Sequence, residues 1–418
     1  MTDKIYDLLV IGGGINGAGI AADAAMRGLS VFLAEADDLA GATSSASSKL
    51  IHGGLRYLEH FEFRLVREAL AEREVLLANA PHVVHPLRFV LPHVHGMRSP
   101  LLMRTGLFLY DHLASRQTLG GSQSLDLRLD PAGAPLVAEL AQGFTYWDCR
   151  VDDARLVVLN AIQARQAGAC IKTRTPVTGL KTESGFWIAT AGAHQVKARA
   201  VVNAAGPWVS DIAKLLRGSV DIPLPIVRLV KGSHIVVPRI AGANDAYTFQ
   251  NRDGRVIFAL PFEDDFTLIG TTDVVFAGDP RDMKCTDDEE GYLLDVANRF
   301  FRKPLTRHSV VWNFAGVRPL DEDGSESAST VSRDYRLEIR TQNIPPILHV
   351  IGGKITIYRK LAEAALQLLQ PHFPQMRLGR TLSTPLPGGD LGGRSFEDLF
   401  EDLARKKSGF GKSFLRRL

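Results

Sequence analysis

YDLLVIGGGINGAGIAADAAMRGLSVFLAE, Tyr6 to Glu35, is the stretch that decides the fold. An apolar run, Leu8 to Ile11, leads into Gly12-x-Gly14-x-x-Gly17, and a helix of small residues follows from Ala18 to Met26. Arg27-Gly28 is a turn, and a second apolar run, Leu29 to Leu33, ends on the acid Glu35. This is the pattern of a strand–turn–helix–strand unit that grips a dinucleotide. Gly12 permits the tight turn, Gly14 lets the backbone approach a pyrophosphate, and Gly17 lets the helix pack close to the strand. The pyrophosphate belongs at the helix N-terminus, where unpaired N–H groups and the dipole favour negative charge. Glu35, eighteen residues beyond Gly17, is placed to accept hydrogen bonds from a ribose. A glycine triplet alone also fits a surface turn. The flanking strands, the alanine-rich helix and the acid favour the dinucleotide.

Beyond Glu35, the polar segment Asp37 to Lys49 has the composition of a flexible linker, yet it runs directly into Leu50-Ile51-His52-Gly53-Gly54-Leu55-Arg56-Tyr57-Leu58. Its hydroxyls, one lysine, one histidine and a glycine pair suit a loop wrapped over a phosphate and a flat ring system. Phe61 to Leu77 predicts an amphipathic helix with Leu65, Ala69 and Leu76 inward. Leu87 to Leu91 predicts a strand. His82, His85, His93 and His95 lack accompanying acids and are interrupted by prolines, so no metal site is expected. Met97 to Tyr110 mixes Arg98 and Arg104 with Leu101, Leu102, Leu107, Phe108 and Leu109. It reads as a short core helix or as a basic, apolar element lying on a membrane.

Asp148 to Ala167 is predicted helical, opening on the acids Asp152 and Asp153. Strand pieces follow at Cys170 to Thr173 and Val177 to Leu180, with a hairpin at Gly185-Phe186-Trp187. Val201 to Val209 is a buried strand ending in small residues, expected to return to the first sheet and pass beneath the cofactor. Ile222 to Val311 alternates apolar and polar residues between turn signals, which predicts an inserted antiparallel sheet. Trp312 to Pro319 is expected to bring the chain back to the first sheet. Ile347 to Lys354 reads as a strand and glycine turn, and Ile355 to Gln370 as a helix. A linker, Pro385 to Gly389, and a short helix, Phe396 to Lys407, precede a tail. There Arg405, Lys406, Lys407, Lys412, Arg416 and Arg417 have no balancing acid in sequence.

The expected architecture is α/β: a Rossmann-like cofactor domain from residues 1–80, 148–220 and 312–375, with a mainly antiparallel β-sheet substrate domain from 81–147 and 221–311. Residues 376–418 read as a linker and the remnant of a C-terminal helical domain. A length of 418 residues suffices for two domains and a sizeable core. A composition of 45% hydrophobic and 23% charged residues is that of a globular protein, and a net charge of +3 argues against a nucleic-acid partner. Cys149, Cys170 and Cys285 form no CxxC pair, which favours a reducing compartment. No apolar run approaches the ~20 residues needed to span a bilayer. The first strand begins too early to leave room for a signal peptide. The expected location is cytoplasmic, or attached to a membrane from that side.

The opening motif does not separate NAD from FAD. Three features favour FAD: the motif begins the chain, the serine-rich loop follows the second strand, and a glycine turn, Gly352-Gly353, recurs near the C-terminus. Nine blocks then converge: GGGINGAGIAADAAMRG, SSASSKLIHGGLRYLEH, VDDARLV, NAAGPWV, KGSHIVVP, IGTTDV, GVRPL, SRDY and GGKITIYRKLAE. In this order, from Asp7 to Gly389, they resemble the FAD-dependent, aerobic, quinone-linked glycerol-3-phosphate dehydrogenases. General amine or amino-acid oxidases would account for the first block but not for SSKLIHGGLRYLEH.

The resemblance implies a Rossmann-like FAD domain of the glutathione-reductase/D-amino-acid-oxidase type. It implies oxidation of sn-glycerol 3-phosphate to dihydroxyacetone phosphate by hydride transfer to FAD, with electrons passed to a membrane quinone. It places the cofactor against Gly12, Gly14, Ile15, Asn16, Gly17, Glu35, Ala36, Thr43, Ser44, Ser45, Ser48, Lys49, His52, Gly53, Val177, Ala204, Ala205, Gly206, Trp208, Gly353, Lys354 and Thr356. Arg56, Tyr57, Thr271, Arg318, Arg333 and Lys354 are expected to line the substrate pocket, since a phosphate dianion calls for Arg and Lys. His52, Arg56, Arg318 and Lys354 carry the expected catalytic roles. His52 is the candidate base because its intrinsic pKa lies nearest the working pH. His234 is a second candidate with a structural alternative, and Lys354 either contacts substrate or polarises the flavin.

The resemblance further implies peripheral attachment to the inner face of the cytoplasmic membrane, and it leaves a homodimer open. An oxidase that hands electrons to oxygen is the close alternative; a catalytically inert flavin-binding protein is the distant one. Two departures from the family pattern stand out. The family continues beyond the linker into a helical domain, so the stop at Leu418 reads as a truncated domain. Ile357 replaces a position usually small or hydroxylic, which implies one hydrogen bond fewer near the flavin.

Overall fold

A computed structural model describes residues 4–216, 224–321 and 334–417. The first of its two main sheets contains β1 (Ile5–Ile11), β2 (Val31–Ala34), β7 (Cys170–Lys172), β8 (Val177–Glu183), β9 (Phe186–Ala191), β10 (His194–Asn203), β17 (Arg336–Arg340) and β18 (Ile347–Ile351). The second contains β3 (Leu50–Ile51), β4 (Val84–Pro92), β5 (Gln123–Asp126), β6 (Gln142–Val151), β11 (Val227–Pro238), β12 (Ala246–Gln250), β13 (Val256–Phe262), β14 (Phe266–Gly270), β15 (Val274–Val275) and β16 (Trp312–Asp321). The helices are α1 (Ile15–Met26), α2 (Phe63–Asn79), α3 (Pro100–His112), α4 (Asp153–Gln166), α5 (Val209–Lys214), α6 (Asp287–Phe300), α7 (Tyr358–Leu369), α8 (Phe396–Lys406) and α9 (Lys412–Arg417).

The first sheet runs β17-β18-β10-β1-β2-β7, with β1 parallel to both β10 and β2. Parallel strands are buried on both faces, which is why β1 and β2 are continuous apolar runs instead of alternating ones. Leu8, Val10 and Leu33 pack with Ile20 and Ala21 of α1 and with Leu361 and Leu366 of α7. The small residues of α1 bring the helix close to the strands. Ligands of such sheets bind beyond the C-terminal ends of the strands, where Gly12, Glu35, Ala204 and Gly352 all lie.

The second sheet is antiparallel except where β12 runs parallel to β4. Its long axis is β11, paired with β14 on one edge and with β16 on the other from Val227↔Asp321 to Val236↔Trp312. Here the structure departs from the expectation, because 312–321 adds a strand to the second sheet and does not yet rejoin the first. Asp148 also differs: it lies in β6, and the helix begins only at Asp153, where Asp152 caps it by accepting from the Arg155 N–H. α6 was not expected at all. Thr286 and Glu289 form a reciprocal capping box at its start, and Leu293, Val296, Ala297 and Phe300 bury one face against Ile235, Tyr247 and Phe249.

The tail is not unbalanced either. Arg405 and Lys406 meet Asp402 one turn back at 3.7 and 2.9 Å, Arg416 meets Glu397 at 2.7 Å, and Arg417 meets Glu263 at 2.6 Å. The α8–α9 pair brings acids of one helix to bases of the other. Among the described residues no helix is long and apolar enough to cross a membrane.

Candidate active site

At the end of β1 the chain turns through Gly12 with φ +109°, and a Cβ there would lie 2.5 Å from the Ala204 carbonyl oxygen. A Cβ on Gly17 would overlap the Gly12 carbonyl oxygen. Both glycines are required by close approach, as the motif predicts. Gly14 is the N-cap of α1, and the helix carries no acid in its own first turn. The Ser44 hydroxyl accepts from the Ile15 N–H at 3.0 Å, and Glu35 Oε2 accepts from the Gly13 N–H at 2.5 Å. Glu35 therefore stands at the cradle, with exposed Ala36 next to it.

Distant segments close around this turn. The Ala204 N–H bonds the Ile11 carbonyl at 2.9 Å, and Ala205, Gly206 and Trp208 continue from it. Asn16 Nδ2 donates to the Gly352 carbonyl at 3.0 Å, and a Cβ on Gly353 would lie 2.9 Å from the same amide. Val177 packs with Ile11 and Ala34. Asn16 Oδ1 and Trp208 Nε1 are buried without a hydrogen-bond partner among the described residues. Such orphans are rare in a finished interior. A glycine cradle at a helix start, an acid at its rim and two unmatched polar atoms fit a dinucleotide.

The serine-rich loop is tied down on its outer side. Thr43 Oγ1 donates to the Val317 carbonyl at 2.6 Å and Ser45 Oγ to the Ala42 carbonyl at 3.3 Å. Lys49 Nζ reaches the Ser45 carbonyl at 3.0 Å and Asp153 at 2.8 Å, and Ser47 donates to Asp153 at 2.7 Å. Burial raises the Asp153 carboxyl, and Lys49 pulls it back down. Ser48 Oγ lies 2.9 Å from His234 Nε2, and the His234 ring stacks on Phe314 at 4.8 Å. Burial above all, then Arg318 and Lys49, push His234 down to about 3. It is a neutral imidazole at any working pH.

His52 follows β3. Its backbone N–H donates to Thr356 Oγ1 at 3.2 Å, and its ring stands edge-on to Phe258 at 6.2 Å. Phe258 pairs with Gly270 across β13 and β14, and Gly270 pairs with His234 on its other side. The Gly53 N–H donates to Tyr110 Oη at 2.8 Å, and Tyr110 in turn donates to the buried Asp148 at 2.7 Å. Arg73 meets Asp148 at 2.6 Å, which offsets the rise that burial imposes on that carboxyl. Gly54, at φ +77°, leaves room for the Tyr57 ring, and Lys354 Nζ lies 3.5 Å from the centroid of that ring.

Arg318 projects from β16. Its Nη1 meets Asp273 Oδ1 at 2.7 Å and its Nη2 meets Thr271 Oγ1 at 3.1 Å. Arg56 is half-buried and makes no hydrogen bond or ion pair among the described residues, and Arg333 lies outside them. Ile357 is fully buried against Leu65 and Ala69 of α2, so its side chain serves packing. Sequence reading passed over Asp273, Phe314 and the partnership of Asp153 with Lys49. Asp273 stands two residues after Thr271 inside IGTTDV, and that block was its signal.

A family model described as FAD dependent oxidoreductase matches residues 7–352. The chain is 52% identical over 410 residues to a glycerol-3-phosphate dehydrogenase of Pseudomonas aeruginosa, across 96% of this chain and 79% of that protein. It is 51% identical over 403 residues to a D-erythritol 1-phosphate dehydrogenase of Brucella abortus, across 95% and 80% of the two. The crystal structure of the glycerol-3-phosphate dehydrogenase from Bacillus halodurans complexed with FAD aligns with a TM-score of 0.76 at 30% identity. That alignment covers 100% of this chain and 75% of the other.

Proposed function

The chain belongs to the FAD-dependent oxidoreductases, within them to the glycerol-3-phosphate dehydrogenase family, and from that premise we propose that it oxidises sn-glycerol 3-phosphate to dihydroxyacetone phosphate and passes the electrons to a membrane quinone. FAD, when bound, supplies the hydride acceptor. The cradle from Gly12 to Gly17, with Glu35 and Ala204 to Trp208, would hold its ADP half. Ser44 to Gly53 and Gly353 to Thr356 would hold the flavin side.

The protein's own groups then divide the work. Arg318 presents a planar fork suited to a phosphate dianion, and Lys354 adds a point charge beside Tyr57. His52 takes the proton of the substrate's C2 hydroxyl. His234, with a pKa near 3, is too weak a base for that step. The observation that carries the reading is the Arg318 guanidinium, held from two sides by Asp273 and Thr271 next to His234. Attachment to the membrane would use the outward face of α3.

Adding glycerol 3-phosphate to the purified holoprotein without oxygen tests the reaction. Bleaching of the flavin absorbance is the expected result, reversed by a water-soluble quinone. Protein that stays yellow would sink the reading, and reversal by oxygen alone with release of peroxide would make it an oxidase. The identity to a D-erythritol 1-phosphate dehydrogenase favours a second reading, a longer polyol phosphate, and steady-state turnover of each substrate with a water-soluble quinone as acceptor ranks the two by kcat/KM.

A further inference from the structure

Thr271, Thr272 and Asp273 follow the end of β14, and their hydrogen bonds divide them between two sides. Thr271 and Asp273 face Arg318. Thr271 Oγ1 donates to the Thr272 carbonyl at 3.1 Å, which turns its lone pairs toward Arg318 Nη2. Asp273 Oδ1 takes Nη1 at 2.7 Å. Beneath the fork lies Gly232 of β11, where a Cβ would sit 2.7 Å from Arg318 Nη2. A side chain at that position would displace the guanidinium.

Thr272 faces the other way and is buried. Its hydroxyl donates to Glu289 Oε1 at 2.9 Å and accepts from the Ser233 N–H at 2.9 Å. Glu289 is held by the buried Lys231 at 2.7 Å and by the capping box of α6. The tripeptide is therefore gripped from behind by α6 and β11, and it grips Arg318 in front.

We propose that Asp273 is a positioning residue that sets the plane of the Arg318 guanidinium for the phosphate of the substrate. This rests on the reading of Arg318 as the phosphate group's partner. The carboxylate lowers the net positive charge of the site, so its presence works against simple attraction of a dianion. What it contributes is geometry: a charge-assisted bond to one arm of the fork fixes where the other donors point. Attraction alone would be better served by a neutral residue.

A double-mutant cycle in the FAD-loaded protein tests this, with glycerol 3-phosphate as substrate and inorganic phosphate as competitive inhibitor. Asp273→Ala should raise KM and the inhibition constant of phosphate together, on the order of tenfold each. The same substitution in an Arg318→Ala background should change neither by more than about twofold. Asp273→Asn keeps the size and an acceptor oxygen, and should fall between wild type and alanine; it carries the test if the alanine variant does not fold. An Asp273→Asn enzyme with unchanged constants, or full additivity with Arg318→Ala, would overturn the proposal. A wild-type flavin that glycerol 3-phosphate fails to bleach would instead overturn the underlying functional reading.

Discussion

Ser48 and His234 meet at 2.9 Å, joining the loop that leaves the first sheet to β11, the long strand of the second. The contact is possible because Gly270, paired opposite His234 on β14, has no side chain; a Cβ there would overlap the imidazole. The ring is thus enclosed by Phe314, Gly270 and Ser48, and it stays neutral. It acts as a fixed bridge between the two sheets.

Enclosure of this kind has a pH signature. Burial lowers His234 to about 3 and both His85 and His349 to about 4. Above about pH 6.5 all three are neutral in folded and unfolded chains alike, so they contribute no pH dependence. Below that the unfolded chain binds protons that the folded one refuses, and stability falls as pH falls. Each histidine adds at most about 1.4 kcal/mol per pH unit, down to its folded value. The buried carboxyls of Asp23, Asp148 and Asp153 are raised by burial and act with the opposite sign. His234→Gln isolates the histidine share: its Tm should decline less than wild type between about pH 7 and pH 5. Parallel Tm curves would contradict the assignment.

The two histidines should part company in turnover. His52→Asn should lower kcat roughly 10²- to 10⁴-fold, the usual contribution of a general base. FAD should stay bound, since the contact to Thr356 uses the His52 backbone N–H. His234→Gln should cost far less in kcat. If the two variants lose activity equally, the proton acceptor has been misassigned; steady-state rates with flavin content measured in parallel decide it.

Legibility in the sequence followed the range of the interactions. The β1–α1–β2 unit is local in chain order and the motif announced it, although the close approach that requires glycine at position 12 comes from the distant Ala204. α6 was equally local, with Thr286 and Glu289 spaced as a capping box, but apolar runs on either side led the segment to be read as strand. β16 could not be placed from sequence because its partner β11 lies far upstream and pairing leaves no local mark. The tail misled for the same reason, since Glu397 and Glu263 lie 19 and 154 residues from the arginines they meet. Arg318 was legible as a cation in an apolar strand. Its dependence on Asp273 was not, because an ion pair across 45 residues exists only in the folded chain.

Glycine substitutions separate cofactor binding from helix stability. Gly17→Ala forces a methyl into the Gly12 carbonyl and should yield protein that loses its flavin absorbance on gel filtration. Gly106, inside α3, has open space where its Cβ would be. Gly106→Ala should keep FAD and stabilise the protein by about 0.5–1 kcal/mol, read as a higher Tm. Retention of FAD by the Gly17 variant would remove the cradle from the binding site.

The outward face of α3 offers the sharpest test of membrane attachment. The helix turns Met103, Leu107, Tyr110 and Asp111 inward and leaves Leu101, Leu102, Phe108 and Leu109 exposed, Leu101 by 77%. Positions 101, 102, 105, 108, 109 and 112 form one continuous stripe at helical spacing, so the apolar groups share a single surface. Of the nearby cations, Arg98 pairs with Glu59 and Arg104 reaches Ser122, which leaves apolar area as the principal attraction. Burying a large side chain in an acyl layer is worth on the order of 1.5–3 kcal/mol, and that is the attraction this stripe would supply. Replacing all four with serine should release the protein from lipid vesicles in a sedimentation assay. The core side of the helix is untouched by these changes, so anaerobic bleaching by glycerol 3-phosphate should persist. Unchanged sedimentation of the quadruple variant would remove α3 as a membrane contact.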